Sequence, residues 1–361
     1  MTANLSRALL SVALFAGGLA LGCAAIGCLL PVPNVPQVKE KIEWFRAHRG
    51  DYTALFLGTS RVRRHIIPSL FDRLAAEQGM EMRSFNLGVD SLMAPEDAYV
   101  LDLALAARPP KLRYVFIELS FFRANFLGQE PETIRSAYWH DWERTRTVWD
   151  HLIDNNLRSI KLPGKRKKDR WTVWLAEIDE WASLVNQHGR LFLQRATNFG
   201  RIAALWPTVA GLRTPSNPLG PLGPGLDGFI PSTDDLVIRG AALAAYEEEL
   251  AKLKTGEPRE RELDPVPEAN LERVVAKIRS HGAEPIIFIA PSQSGYTMHP
   301  RREVAPVLDF SDPLRWPELF DPRYRADAGH LNTAGAELFT RALADRFFAL
   351  PELVKARGQG R

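Results

Sequence analysis

Short apolar runs of strand length alternate with helical patterns in this chain, and that alternation narrows its fold more than any other property. Residues 54–57, 83–87 and 114–119 read as buried strands, and 69–78 and 95–107 between them space their apolar side chains as helices do. Strand, helix, strand, helix, strand leaves only crossover connections, so the strands are expected to run parallel in an α/β fold. The pattern stops near Ala124. It resumes with a helix at 268–280, a strand at 285–290, a short last strand at 307–310 and a closing helix at 333–348. Residues 125–267 form a large, mostly helical insertion on this reading. They hold seven of the nine tryptophans, a proline and glycine cluster at 215–231 and a helical stretch at 241–254.

The N-terminus departs from ordinary globular composition. Residues 8–30 carry no charge, and about 20 such residues cross a ~30 Å hydrocarbon core as a helix. Arg7 and the α-amino group give a positive flank, which places the N-terminus inside. Residues 1–31 are therefore expected to be a transmembrane anchor contacting the lipid bilayer through 8–30. A cleaved leader and a lipidated leader are the alternatives, because Cys23 and Cys28 each follow a glycine. These are the chain's two cysteines, so the part beyond the anchor holds no intramolecular disulfide. Pro31, Pro33 and Pro36 stiffen a linker at 32–50, the main domain spans 51–350, and 351–361 is a tail.

Charge excludes one class of partner. The 46 basic and 43 acidic side chains leave a net +3, giving no whole-chain reason to expect nucleic acid. One local tract is basic: Lys161, Lys165, Arg166, Lys167, Lys168 and Arg170 against the single acid Asp169. It reads as a solvated loop, with contact to anionic lipid head groups or an anionic glycan as the functional alternative.

Two motifs carry chemistry. The first strand ends in L-F-L-G-T-S-R, where Gly58 permits a tight turn and Ser60 sits at the carboxyl end of a parallel strand, the end at which open α/β sheets bind ligands. A serine nucleophile needs a base, and a histidine with its own carboxylate is the common solution. D-A-G-H-L-N-T-A-G-A supplies one: Asp327 precedes His330 by three positions, just ahead of a helix that Asn332 or Thr333 could cap. His65 is a rival base, here read as structural or substrate-lining. Arg61, Arg63 and Arg64 crowd the same loop, and Arg61 is a second substrate-lining candidate.

Together these blocks resemble the SGNH (GDSL-like) hydrolases, in particular membrane-anchored members similar to the D-alanine transfer protein and alginate O-acetylation proteins. The resemblance covers roughly 51–125 and 268–348. It implies a flavodoxin-like three-layer sandwich with strand order 2-1-3-4-5, and a catalytic triad of Ser60, His330 and Asp327. It also implies an oxyanion hole from the backbone N–H groups of Ser60 and of Gly88, the latter in F-N-L-G-V-D-S. The family's third-block asparagine is missing from E-L-S-F-F-R-A-N, leaving Ser120 or Asn125 as stand-ins. The activity implied is ester hydrolysis or O-acyl transfer on an extracytoplasmic glycan or lipid of a bacterial envelope, beside a membrane-bound O-acyltransferase. The domain would then face the periplasm from the inner membrane. No metal or organic cofactor is required by such chemistry. The alternative is a non-catalytic scaffold that keeps the fold.

Overall fold

The computed structural model describes residues 2–29, 35, 37–126, 130, 133–161, 170–198, 222, 225–232, 236–255, 260–293 and 297–354. The chain divides into two compact units, Glu40–Phe122 with Pro218–Arg361, and Met1–Lys39 with Arg123–Asn217.

The first of these units is an α/β domain. Strands β1 (Ala54–Gly58), β2 (Ser84–Gly88), β3 (Tyr114–Glu118), β5 (Glu284–Ile289) and β7 (Val307–Asp309) form a parallel sheet in the order β2-β1-β3-β5-β7. Every residue of β1 and β2 is buried; β1 reads as an unbroken apolar run, whereas β2 buries the polar Ser84 and Asn86. Leu57 pairs in register with Leu87 and Ile117, bringing the carboxyl ends of β1, β2 and β3 level.

Residues alternate between the two faces of the sheet. Phe56, Phe116, Phe288 and Leu308 join one core with Phe71 of α4 (Pro68–Glu77) and with Phe339, Leu343 and Phe347 of the closing helix. Ile287 packs on the other face with Leu271 and Val275 of the helix Pro265–Ser280. Residues 218–267, expected within the insertion, belong to this unit. Tyr246 and Leu250 of the helix Gly240–Thr255 are part of the first core. Two further short strands, β4 (Glu260–Glu262) and β6 (Thr297–His299), pair as a separate parallel ladder that the sequence did not suggest.

The segment read as a linker is largely a helix. In α2 (Val38–Ala47), Val38, Lys41, Ile42 and Phe45 are buried at helical spacing. Lys41 is fully enclosed, and its ammonium donates to the carbonyls of Asn86 at 2.9 Å, Gly88 at 2.7 Å and Gly228 at 2.8 Å. Asn86 and Gly88 point the same way because they are two apart on β2, the edge strand. Lys41 therefore covers carbonyls that would otherwise be an open sheet edge. The Asn86 N–H on the same side donates to Asp227 O at 2.8 Å. Gly228 has φ +92° and lies so close that a Cβ there would come within 2.1 Å of Asn86 O.

The other unit contains α1 (Thr2–Leu29) and the helices α6 (Ile134–Tyr138), α7 (Trp142–Lys161) and α8 (Arg170–Ala196). Within α1, Leu5–Leu29 is long and apolar enough to cross a membrane. His140 Nε2 meets His188 Nδ1 at 2.7 Å, and Trp139 stacks on the His140 ring. Burial depresses the pKa of both histidines, His140 to about 2. Most of the basic tract and the 215–231 cluster lie outside the described residues.

Candidate functional site

The site grows out of the turn after β1. Gly58 has no room for a side chain: a Cβ there would lie 2.5 Å from Glu118 and from Val62. Glu118, buried at the end of β3, accepts the Thr59 N–H at 2.6 Å and pairs with Arg61 Nε at 2.6 Å. Thr59 caps the short helix α3 (Ser60–His65) by accepting the Arg61 N–H, so Ser60 begins a helix and does not sit in a loop. Asn86 holds the far end of α3, donating from Nδ2 to the carbonyls of Val62 at 2.7 Å and Ile66 at 2.8 Å. Both ends of the six-residue helix are thus fixed to strands of the sheet.

Residues 327–330 fold as a tight loop around one carboxylate. Asp327 Oδ1 accepts the N–H groups of Gly329 at 2.7 Å and His330 at 2.9 Å. His330 Nδ1 lies 2.9 Å from Oδ1 and 3.0 Å from Oδ2 of the same carboxylate. That carboxylate is held below its ordinary pKa, first by the His330 side chain, with desolvation opposing. Asn332 then caps the closing helix through the Gly335 N–H at 2.9 Å. Gly335 is required where that helix meets Tyr324 O, since a Cβ would come within 2.4 Å of it.

These two pieces meet. Ser60 Oγ is 2.7 Å from His330 Nε2, across 270 residues of sequence. An ionised carboxylate against Nδ1 favours the proton there, leaving the Nε2 lone pair to accept from the serine hydroxyl. Ser60, His330 and Asp327 are thus brought together within hydrogen-bonding distance of one another in series.

The other expected residues fall differently. His65 is enclosed: its Nε2 accepts the Leu331 N–H at 2.9 Å, and its Nδ1 has no hydrogen-bond partner among the described residues. Burial first, then the Arg325 charge, push its pKa well down. It is thus held neutral, and it positions the chain beside His330 through the Leu331 N–H. Gly88 does not offer its N–H to the site either. That N–H lies on the outer edge of β2 and donates to Asn86 Oδ1 at 2.9 Å. Glycine is needed there for closeness, because a Cβ would fall 2.2 Å from the Arg63 nitrogen.

The Ser60 N–H, at the start of α3, makes no hydrogen bond among the described residues. Ser120 and Arg61 line a small pocket at the carboxyl ends of β3 and β5, together with Leu119, Ser292, Met298 and Ser311. Asn125 is exposed and belongs to the other unit.

Sequence reasoning missed Lys41, Asn86, Glu118 and Arg325. Arg325 is fully buried, donates to Leu319 O at 2.8 Å and stacks over Phe320 at 5.2 Å. It also missed Ser91, a non-glycine residue at φ +56° just beyond β2, next to the Asp90 that pairs with Arg63. Among the described residues no cluster of His, Cys, Asp or Glu is arranged to hold a metal ion. The chain matches no family model and no curated protein.

Proposed function

We propose that this chain is a membrane-anchored serine esterase or O-acyltransferase of the SGNH (GDSL-like) kind. Its substrates are acyl esters of an extracytoplasmic envelope glycan or lipid. The observation that carries this reading is the 2.7 Å approach of Ser60 Oγ to His330 Nε2, with Asp327 behind the ring. Numbering only the strands of the five-stranded sheet turns its order into 2-1-3-4-5, which supports a flavodoxin-like fold. Leu5–Leu29 supports a single-pass membrane anchor; that the membrane is the cytoplasmic one, with the domain on its outer side beside a membrane-bound O-acyltransferase, is part of the proposal.

In this mechanism His330 takes the Ser60 proton as Oγ attacks the ester carbonyl, and Asp327 stabilises the imidazolium. The oxyanion forms at the Ser60 N–H, with the Ser120 hydroxyl the second donor in place of Gly88. His330 then protonates the leaving alcohol. Water or a sugar hydroxyl, deprotonated by the same imidazole, releases the acyl group from Ser60.

The test is active-serine labelling of the full chain in detergent with a fluorophosphonate, together with p-nitrophenyl acetate turnover, for wild type, Ser60→Ala and His330→Ala. Labelling in the wild type that disappears in both variants supports the reading; equal behaviour of all three overturns it. A non-catalytic scaffold is the second reading, favoured by the commitment of the Gly88 N–H to Asn86 and by the absence of the third-block asparagine. It requires Ser60→Ala to leave the cellular role of the protein intact.

A further inference from the structure

The unit that contains α1 carries an apolar patch at one end of the α7–α8 pair. Trp142, the first residue of α7, is 57% exposed, and Leu193, near the end of α8, is 59% exposed. The Trp142 ring meets Phe192 at 5.8 Å, and Leu193 follows Phe192 directly in α8. Trp149, two turns further along the same face of α7, meets the Trp142 ring at 6.0 Å but is less exposed. It turns inward, donating from Nε1 to Val185 O at 3.2 Å and packing where Gly189 leaves room.

What lies beside the patch is the apolar helix. Along Leu5–Leu29 every residue is exposed except Cys23, Ile26 and Gly27, which share one face at helical spacing. That face is met by the end of α8. Cys23 Sγ donates to Thr197 O at 3.3 Å, and Asn198 Nδ2 donates to Cys23 O at 2.5 Å. Asn198 holds φ +53° to do so, and Gly27 leaves space, since a Cβ there would stand 3.7 Å from its amide. Thr197 closes the turn that starts at Leu193, donating to Leu193 O from its N–H at 2.9 Å. Leu193 is therefore one helical turn from the contact with α1.

Position along α1 then sets the depth. Cys23 precedes Leu29 by six residues, about 9 Å at 1.5 Å per residue. A span of about 30 Å counted from Ala8 ends near Gly27. The end of α8 consequently meets α1 over the last helical turn of that span, from Cys23 to Gly27, next to the boundary between hydrocarbon and head groups. Exposed Trp and Leu at that level suit the lipid interface, where an indole sits half in each phase.

We propose that Trp142, Phe192 and Leu193 insert into the head-group layer of the leaflet at the C-terminal end of α1, making a second membrane attachment beside the anchor. The occupant of the patch is the phospholipid interface itself. This rests on the reading of α1 as an anchor, and the experiment separates the two.

The full chain with Cys23→Ser and Cys28→Ser, which keeps a donor at position 23, is reconstituted in nanodiscs of phosphatidylcholine and phosphatidylglycerol. Leu193→Cys or Leu14→Cys then carries a nitroxide, and collisions with oxygen and with a water-soluble nickel chelate are compared. At both positions oxygen is expected to relax the label more than nickel does. In a parallel measurement, quenching of tryptophan emission by brominated lipid is expected to fall in Trp142→Phe. A label at 193 that nickel reaches freely, with no change in quenching, overturns the proposal while a lipid-facing label at 14 leaves the anchor standing. A label at 193 shielded from both reagents also overturns it, because protein then covers the patch. A label at 14 that nickel reaches refutes the anchor itself.

Discussion

Replacing Lys41 by methionine keeps the length and apolar stem of the side chain and removes its three donors. The carbonyls of Asn86, Gly88 and Gly228 then remain aimed at an apolar group, at distances that now hold hydrogen bonds of 2.7 to 2.9 Å. Each buried acceptor left unmade costs about 1–3 kcal/mol. Relief of the ammonium's desolvation, which pushes the Lys41 pKa well below its ordinary value, offsets part of that sum. A net loss of about 3–5 kcal/mol follows, the usual scale for removing one partner of a buried charged network. For a domain of this size it lowers Tm by roughly 10 °C. The measurement is thermal unfolding of the full chain in detergent, with exposed Lys254→Met as the control. The same variant should react more slowly with a fluorophosphonate, because Asn86 also holds α3. A Tm within about 2 °C of the control would refute the reasoning and mean that water reaches these carbonyls.

Asp327→Asn should cut acylation of Ser60 by about 10³–10⁴-fold while leaving Tm within a few degrees, because the loss is of tautomer control and not of packing. Gly58→Ala should destabilise by about 1–3 kcal/mol or more, since its Cβ meets Glu118 and Val62 at 2.5 Å, and urea unfolding reads this directly. Asp72 gives a pH dependence. Burial raises its pKa from 3.8 to about 6, with hydrogen bonds from Ser84 opposing. The folded state therefore holds this proton more tightly than the unfolded chain does. The associated stability, about 3 kcal/mol at most, is fully present below pH ~4 and lost as pH rises through ~6. The difference between wild type and Asp72→Asn in denaturant midpoints from pH 4 to 7 isolates it, and a flat difference contradicts the assignment.

The sheet was legible because burial on both faces writes continuous apolar runs such as Ala54 to Leu57 and Tyr114 to Ile117. Ser60, Asp327 and His330 were legible because their residue types and order are informative without any structure. Much of the rest depended on backbone groups, which leave no mark in residue identity. Lys41 reads as an ordinary surface lysine, since its partners are three carbonyls. Gly88 looked like an oxyanion donor, but a period of two places its N–H beside Asn86 on the outer edge of β2. α2 hid behind the prolines before it, although Val38, Ile42 and Phe45 already follow a helical period. Residues 218–267 were assigned to the insertion because no strand marks their return to the core.

The separations across the site also set a timetable. A chain emerging N-terminus first exposes Lys41 long before Gly228, 187 positions later, and Ser60 long before His330, 270 positions later. Contacts so distant in sequence close late and slowly. On the proposed reading, Ser60 therefore meets its base only after the closing helix has been made. A truncated or stalled product would carry the serine but no reactivity.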